Sequence, residues 1–147
     1  MQRRAIYVVC ALFALLLSGC GGSSNTSQNL GPMIRTGSAE FEKFAKQIVV
    51  DNVEADEAKR PIGDIVMTLR ATMRNFTGRT INGLEIHAAV VDLEGKPVKE
   101  RTVSIIPERR AELENNQTLP VQVLLEGIGK DAVRADIKIE VTGFRFK

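Results

Sequence analysis

The chain predicts an all-β fold, an antiparallel β-sandwich of six to seven strands in a single domain. Three features of the sequence carry this. Apolar side chains recur at every second position in several segments, and polar stretches containing glycine separate those segments at short intervals. Helical spacing is confined to one stretch of about nine residues. Alternation by two places one strand face in a core and the other in water. Short strands joined by such turns are the pattern of a sandwich.

Residues 1–19 stand apart from this domain. Arg3 and Arg4 precede an apolar run over residues 5–17, which together form the charged and apolar regions of an export signal. The run is too short to span a bilayer. It ends in Leu17-Ser18-Gly19-Cys20, which resembles the lipobox of bacterial lipoproteins. The resemblance implies that Cys20 receives a thioether-linked diacylglycerol and that the peptide bond before it is cut. It also implies a lipid-anchored address in the bacterial cell envelope. Gly21 stands where an Asp would retain a lipoprotein in the inner membrane of enteric bacteria, so the outer membrane, facing the periplasm, is favoured. Secretion after cleavage at a small-residue site and an uncleaved anchor are the alternatives.

Cleavage before Cys20 removes Arg3 and Arg4, so the 20 Lys and Arg of the whole chain fall to 18, against 18 Asp and Glu. A neutral exported chain lacks the basic field that nucleic acid requires. Cys10 leaves with the signal and Cys20 is taken by lipid, so no thiol remains for a disulfide, a zinc site or a nucleophile. Residues 20–38 form the lipidated Cys and a tether, rich in Gly, Ser and Asn, that has little to bury and stays flexible. Residues 39–147 form the domain.

Within the domain, Phe41, Phe44, Ala45 and Ile48 have helical spacing. They mark residues 39–47 as a short lead-in that packs two Phe rings on the sandwich. A first strand is expected over residues 47–54. Met67, Leu69, Ala71 and Met73 alternate with Thr68, Arg70 and Thr72, and Leu84, Ile86, Ala88 and Val90 alternate with Glu85, His87 and Ala89. Further strands are expected over residues 98–106 and 119–125. The cleanest alternation is Val133, Ala135, Ile137, Ile139 and Val141. Phe144 and Phe146 then fall on the opposite parity, and Gly143 at the slip suggests a bulge that returns them to the core. The connectors Lys59-Arg60-Pro61-Ile62-Gly63, Asn75-Phe76-Thr77-Gly78 and Asp92-Leu93-Glu94-Gly95-Lys96 each supply a Gly where a turn needs positive φ.

Three of these pieces, in order, resemble the immunoglobulin-like extracytoplasmic domains grouped as FxLYD-type in bacterial lipoproteins. They are the strand end Met73-Arg74-Asn75-Phe76-Thr77-Gly78, the hairpin from Ala88 to Lys96, and the terminal strand ending in Phe146. Ala88 and Val91 stand where Phe and Tyr are typical, and a long charged segment from Pro107 replaces a Pro-Gly turn. The resemblance implies an immunoglobulin-like sandwich and an envelope address, and it carries over no catalytic residue.

No Gly-x-Ser-x-Gly elbow, phosphate loop or His-Glu-x-x-His motif is present. His87 is the only histidine, and its parity puts it on the solvent face beside Glu85. Catalysis through it is one alternative. Asp51, Glu54, Asp56, Glu57 and Asp64 gather near one strand, where Ca²⁺ binding competes with a solvated acidic edge; the spacing lacks a calcium-loop pattern. No cofactor and no metal are therefore expected. Arg70 and Arg74 share one strand face and Arg134 and Lys138 another, so a basic patch would form if the two strands adjoin. The segment over residues 107–120 is the longest connection, with Arg109, Arg110, Glu112 and Glu114 around Leu113, and long charged loops on rigid scaffolds often carry binding surfaces; an edge strand or a floppy crossover between the sheets is the competing reading. The expected interaction surface is therefore Arg70, Arg74, Arg109, Arg110 and Glu112, on a non-enzymatic module that binds an envelope protein. A periplasmic carrier of a small ligand or ion is the alternative.

Overall fold

The structure, a computed structural model, describes residues 30–147. Those residues form β1 (Ile34–Arg35), α1 (Ala39–Phe44), a 3₁₀ turn (Ala45–Gln47), β2 (Ile48–Lys59), β3 (Ile65–Asn75), β4 (Ile81–Val91), β5 (Pro97–Ile106), β6 (Thr118–Ile128) and β7 (Asp136–Phe146). The strands pair antiparallel in two sheets, one ordered β1-β7-β4-β5 and the other β2-β3-β6. The expected all-β sandwich is the observed architecture.

Its core is built by the alternations that the sequence displays. Leu69, Ala71 and Met73 of β3 and Leu119, Val121, Val123 and Leu125 of β6 face Leu84, Ile86, Ala88 and Val90 of β4. The lead-in helix starts at Ser38, whose Oγ accepts the Phe41 N–H at 3.1 Å. A capped N-terminus makes so short a helix possible, and its rings do the rest. Phe41 stacks on Phe144 at 5.5 Å, and Phe44 meets Phe146 edge-on at 5.1 Å. The aromatics of β7 reach this position through the expected bulge. Glu85 pairs with Gly143 but Ile86 with Val141, which leaves Thr142 as the extra residue.

Several boundaries differ from the expectation. β7 begins at Asp136, not Val133, because residues 129–135 turn between the sheets, and the Ala135 N–H bonds to Val91 O at 2.8 Å. β2 continues to Lys59, and residues 52–59 are exposed on both faces. A bulge at Asn52, with φ of 51°, shifts its register, and beyond it the ladder and ion pairs hold the strand in place of burial. The stretch over residues 31–38, assigned from composition to the tether, lies on the sandwich. β1 pairs with Phe144 and Gly143, and Met33 sits where Cβ atoms on Gly83 and Gly143 would crowd it.

The connection over residues 107–117 crosses from one sheet to the other and is fastened along the way. Leu113 is fully buried and exchanges two backbone hydrogen bonds with Ile81, of 2.8 and 2.9 Å. Asn75 makes this possible. Its side-chain Nδ2 donates to the carbonyls of Leu113 and Arg79 at 2.9 and 2.8 Å. Its Oδ1 accepts from the backbone N–H and hydroxyl of Thr77 at 3.0 and 2.7 Å. Every hydrogen-bonding position of the amide is thus used. The Asn75 backbone bonds to Gln117 O and Asn116 N, and Phe76 N–H donates to Gln47 O. One fully buried residue joins the lead-in, the β3–β4 turn and the β5–β6 connection.

Asn75→Ala would leave the Thr77 N–H without a partner and would strip one of two hydrogen bonds from the Leu113 and Arg79 carbonyls, which keep the Ile81 N–H and the Thr77 hydroxyl. It should destabilise the protein by about 3 kcal/mol or more in denaturant unfolding. Asn75→Asp should also destabilise, more at pH 7 than at pH 4, because its ionised form has no hydrogen to donate. A second expectation concerns Glu85, which fastens β1. Its hydrogen bond from Arg35 holds the carboxyl below its ordinary value near 4.5 against the opposing effect of burial, with help from the Thr142 hydroxyl and the Arg35 charge. A depressed carboxyl stabilises the fold fully above its unfolded value and loses that contribution as pH falls through its folded value. Unfolding of Glu85→Gln, followed from pH 7 downward, should therefore show a smaller acid-side loss of stability below about pH 4.5 than the parent chain.

Candidate functional site

An open depression lies on the outer face of the three-stranded sheet. Parity places it there: Leu69 and Ala71 point into the core, so Arg70 and Thr72 point out. Glu54 of β2 and Gln122 of β6 stand opposite Arg70 in register and share its face. With Asn52 and Pro120 they border an open cleft of about 450 Å³, and Arg109, from the turn after β5, reaches over it. The Arg109 backbone N–H donates to Ile105 O at 2.9 Å, which fixes where this arginine leaves the sheet.

The structure thus unites two of the five residues expected to form an interaction surface, Arg70 and Arg109, and separates the others. Arg74 lies on the same face but outside the cleft, with Nε 2.6 Å from Asp51 Oδ2. Arg110 turns back to Gln117 Oε1 at 2.7 Å, and Glu112 holds Lys147 at 2.8 Å. Thr72, Gln122 and the bulged Asn52 had no mark in the sequence as site residues. Only the register of three strands brings them together.

Other expectations are corrected here. Arg134 and Lys138 do not join Arg70 and Arg74 in one basic patch. β7 and β3 belong to different sheets, and Arg134 reaches Glu57 at 3.0 Å. The carboxylates are shared out among arginines: Asp56 pairs with Arg70, Asp51 with Arg74, Glu57 with Arg134 and Asp64 with Arg60. The hydrogen bond from Arg60 holds the Asp64 carboxyl below its usual range against desolvation. Among the described residues no three such ligands converge on one point. Cys20 lies outside the described residues.

His87 stands on the outer face of the other sheet, with Nε2 3.2 Å from Glu100 and Nδ1 3.2 Å from Thr102 Oγ1. Hydroxyl, imidazole and carboxylate in line are the types a nucleophilic relay uses. Here Thr102 is the direct cross-strand partner of His87, on an open sheet face. Cross-strand pairing accounts for the contacts. No helix among the described residues is long and apolar enough to cross a membrane.

Comparison with family models gives no match, and comparison with curated proteins gives no significant one. Among solved structures, the chain is similar to a crystal structure provisionally assigned as the ApaA protein from Bordetella pertussis. The TM-score is 0.39 at 10% identity, over 78% of this chain and 93% of that one.

Proposed function

We propose that this protein is a lipid-anchored component of the bacterial cell envelope whose sandwich is a non-enzymatic module that binds another envelope protein. The cleft joining Arg70 and Arg109 on the outer face of β2-β3-β6 is the observation that carries the binding role. Its two guanidiniums, the Gln122 amide and the Thr72 hydroxyl offer polar contacts beside β6, an edge strand of its sheet. A partner strand added along β6 would take its backbone hydrogen bonds from that edge and its side-chain contacts from the cleft. The anchor rests on Leu17-Ser18-Gly19-Cys20 behind its basic and apolar segments. Gly21 favours the outer membrane, with the domain in the periplasm. A small-ligand carrier is the second reading, since about 450 Å³ is within the range of ligand sites. It requires ligand-dependent thermal stabilisation of the protein.

Two outcomes test the proposal. Cys20→Ser should yield a chain that keeps its signal and incorporates no labelled palmitate; lipid mass on the variant would refute the anchor. Cross-linking of the anchored protein in intact cells, followed by mass spectrometry, should recover one dominant envelope protein linked near Arg109. Arg109→Glu should cut that adduct about tenfold, as expected for a central interface arginine. Unchanged recovery would remove the cleft from the interface.

A further inference from the structure

Residues 31–36 run as a strap along the four-stranded sheet, and few contacts hold them there. β1 supplies two pairings, Ile34 with Phe144 and Arg35 with Gly143. Beyond them the polar contacts are long or exposed. Thr36 N–H donates to Thr142 O at 3.3 Å, Arg145 Nη1 donates to Gly31 O at 3.4 Å, and Arg35 meets Glu85 with its own side chain 56% exposed. An exposed ion pair contributes little. Two apolar side chains of the strap pack on the sheet, one on each of its faces. Ile34 turns inward against the core, and Met33 lies on the outer face.

Two glycines make the notch in which Met33 lies. A Cβ on Gly83 would stand 2.8 Å from Met33 Sδ, and one on Gly143 would stand 3.2 Å from Met33 Cε. The thioether thus rests on the backbone of β4 and β7, in space that side chains would otherwise fill. Arg145 closes one side, with its Cβ and Cζ 3.1 and 3.2 Å from the same position on Gly83. Its guanidinium is already committed, Nε to Asn82 Oδ1 and Nη2 to Asn82 O, both at 3.0 Å. Met33 is half-buried, so part of the side chain remains open to water. Met1 lies outside the described residues, and Met67 and Met73 are core residues at 7% and 0% exposure. Among the described residues, Met33 therefore carries the sulfur that a small oxidant reaches most readily.

We propose that Met33 is an oxidation site and that its sulfoxide releases the strap. Hydrogen peroxide, or another hydroperoxide, gives one oxygen to the thioether. An S–O bond forms, the O–O bond breaks, sulfur is oxidised by two electrons, and the rest of the peroxide leaves as water or an alcohol. The product is polar where the thioether was apolar. Sulfur lies too close to the Gly83 backbone for another atom to fit beneath it, so the oxygen must face water. Its hydration then competes with the seating of the side chain in the notch. Once that contact is lost, Ile34 and the exposed polar contacts alone hold the strap, and the edge of β7 at Gly143 and Phe144 is uncovered. Sulfoxide reduction restores the thioether, which makes the latch reversible. This device goes beyond the binding role proposed above and does not depend on it.

The test is hydrogen peroxide treatment of the full chain, read by peptide mass mapping and by amide exchange. Met33 should gain its oxygen at least about tenfold faster than Met67 or Met73. In the oxidised chain the Thr36 N–H should exchange at least about tenfold faster, while the Leu113 N–H, bonded to Ile81 O at 2.8 Å, keeps its rate. Methionine sulfoxide reductases should restore the slower Thr36 exchange. Met33→Leu fills the notch and cannot take up oxygen, so peroxide should leave its Thr36 exchange unchanged. Oxidation of Met33 no faster than that of the two core methionines would remove the site. Unchanged Thr36 exchange in the oxidised chain, or an equal effect of peroxide on Met33→Leu and its parent, would overturn the release.

Discussion

A single buried carboxamide sets the geometry on which the rest of this molecule depends. Asn75 is the last residue of β3, and its side chain is too polar to be enclosed unless each of its hydrogens and lone pairs is met. Three of the groups that meet it, the Arg79 carbonyl and the two Thr77 donors, come from the turn that follows, and the fourth, the Leu113 carbonyl, lies 38 residues away in sequence. Reversing the amide would set its oxygen against both carbonyls and its hydrogens against both donors, so one orientation alone fits. That requirement fixes where Leu113 lies on Ile81, and so where β4 starts. The positions of β5 and β7, which pair on either side of β4, follow from it.

The same constraint makes the two ends of the sandwich unlike. At the Asn75 end, α1, the aromatic cluster of Phe41, Phe44, Phe144 and Phe146, and the β1 segment with Met33 fill the space between and beside the sheets. At the other end the turns over residues 60–64, 92–96 and 129–135 protrude with little cover. Arg109 is a product of this asymmetry. The segment that carries it is fixed on one side by the hydrogen bond to Ile105 and on the other by the burial of Leu113. It therefore keeps Arg109 at the border of the cleft even though the side chain is exposed.

The sequence made the fold legible wherever burial was one-sided. Leu69, Ala71 and Met73, or Leu84, Ile86 and Ala88, announce a strand because each second residue enters the core. Gly63, Gly78 and Gly95 announce turns because each adopts positive φ. Legibility failed where other forces decide. The outer half of β2 is exposed on both faces and held by pairing and by arginines, so it shows no apolar rhythm. Val133 and Ala135 continue the rhythm of β7 by coincidence inside a turn. β1 is only two residues long and has no period to detect. Of the candidate site, Arg70 and Arg109 could be named from parity and loop length. Asn52, Thr72 and Gln122 could not, because register between strands is set by core packing and turn geometry that one sequence does not display. The burial of Leu113 is not legible for a related reason: a lone apolar residue among charges carries no sign of the Ile81 backbone that receives it.

The central claim, that the Asn75 end is the rigid base from which both the cleft and the opposite turns are projected, is tested most directly by native-state amide hydrogen exchange. The amides of Asn75, Ile81, Leu113 and Asn116 all donate to backbone carbonyls at that end. They should exchange among the slowest in the protein, only through global unfolding. The amides of Ile62, Leu93 and Val133 should exchange through local opening alone. Exchange at Leu113 and Asn116 as fast as at those turns would contradict the account, since the connection carrying Arg109 would then be a loose loop.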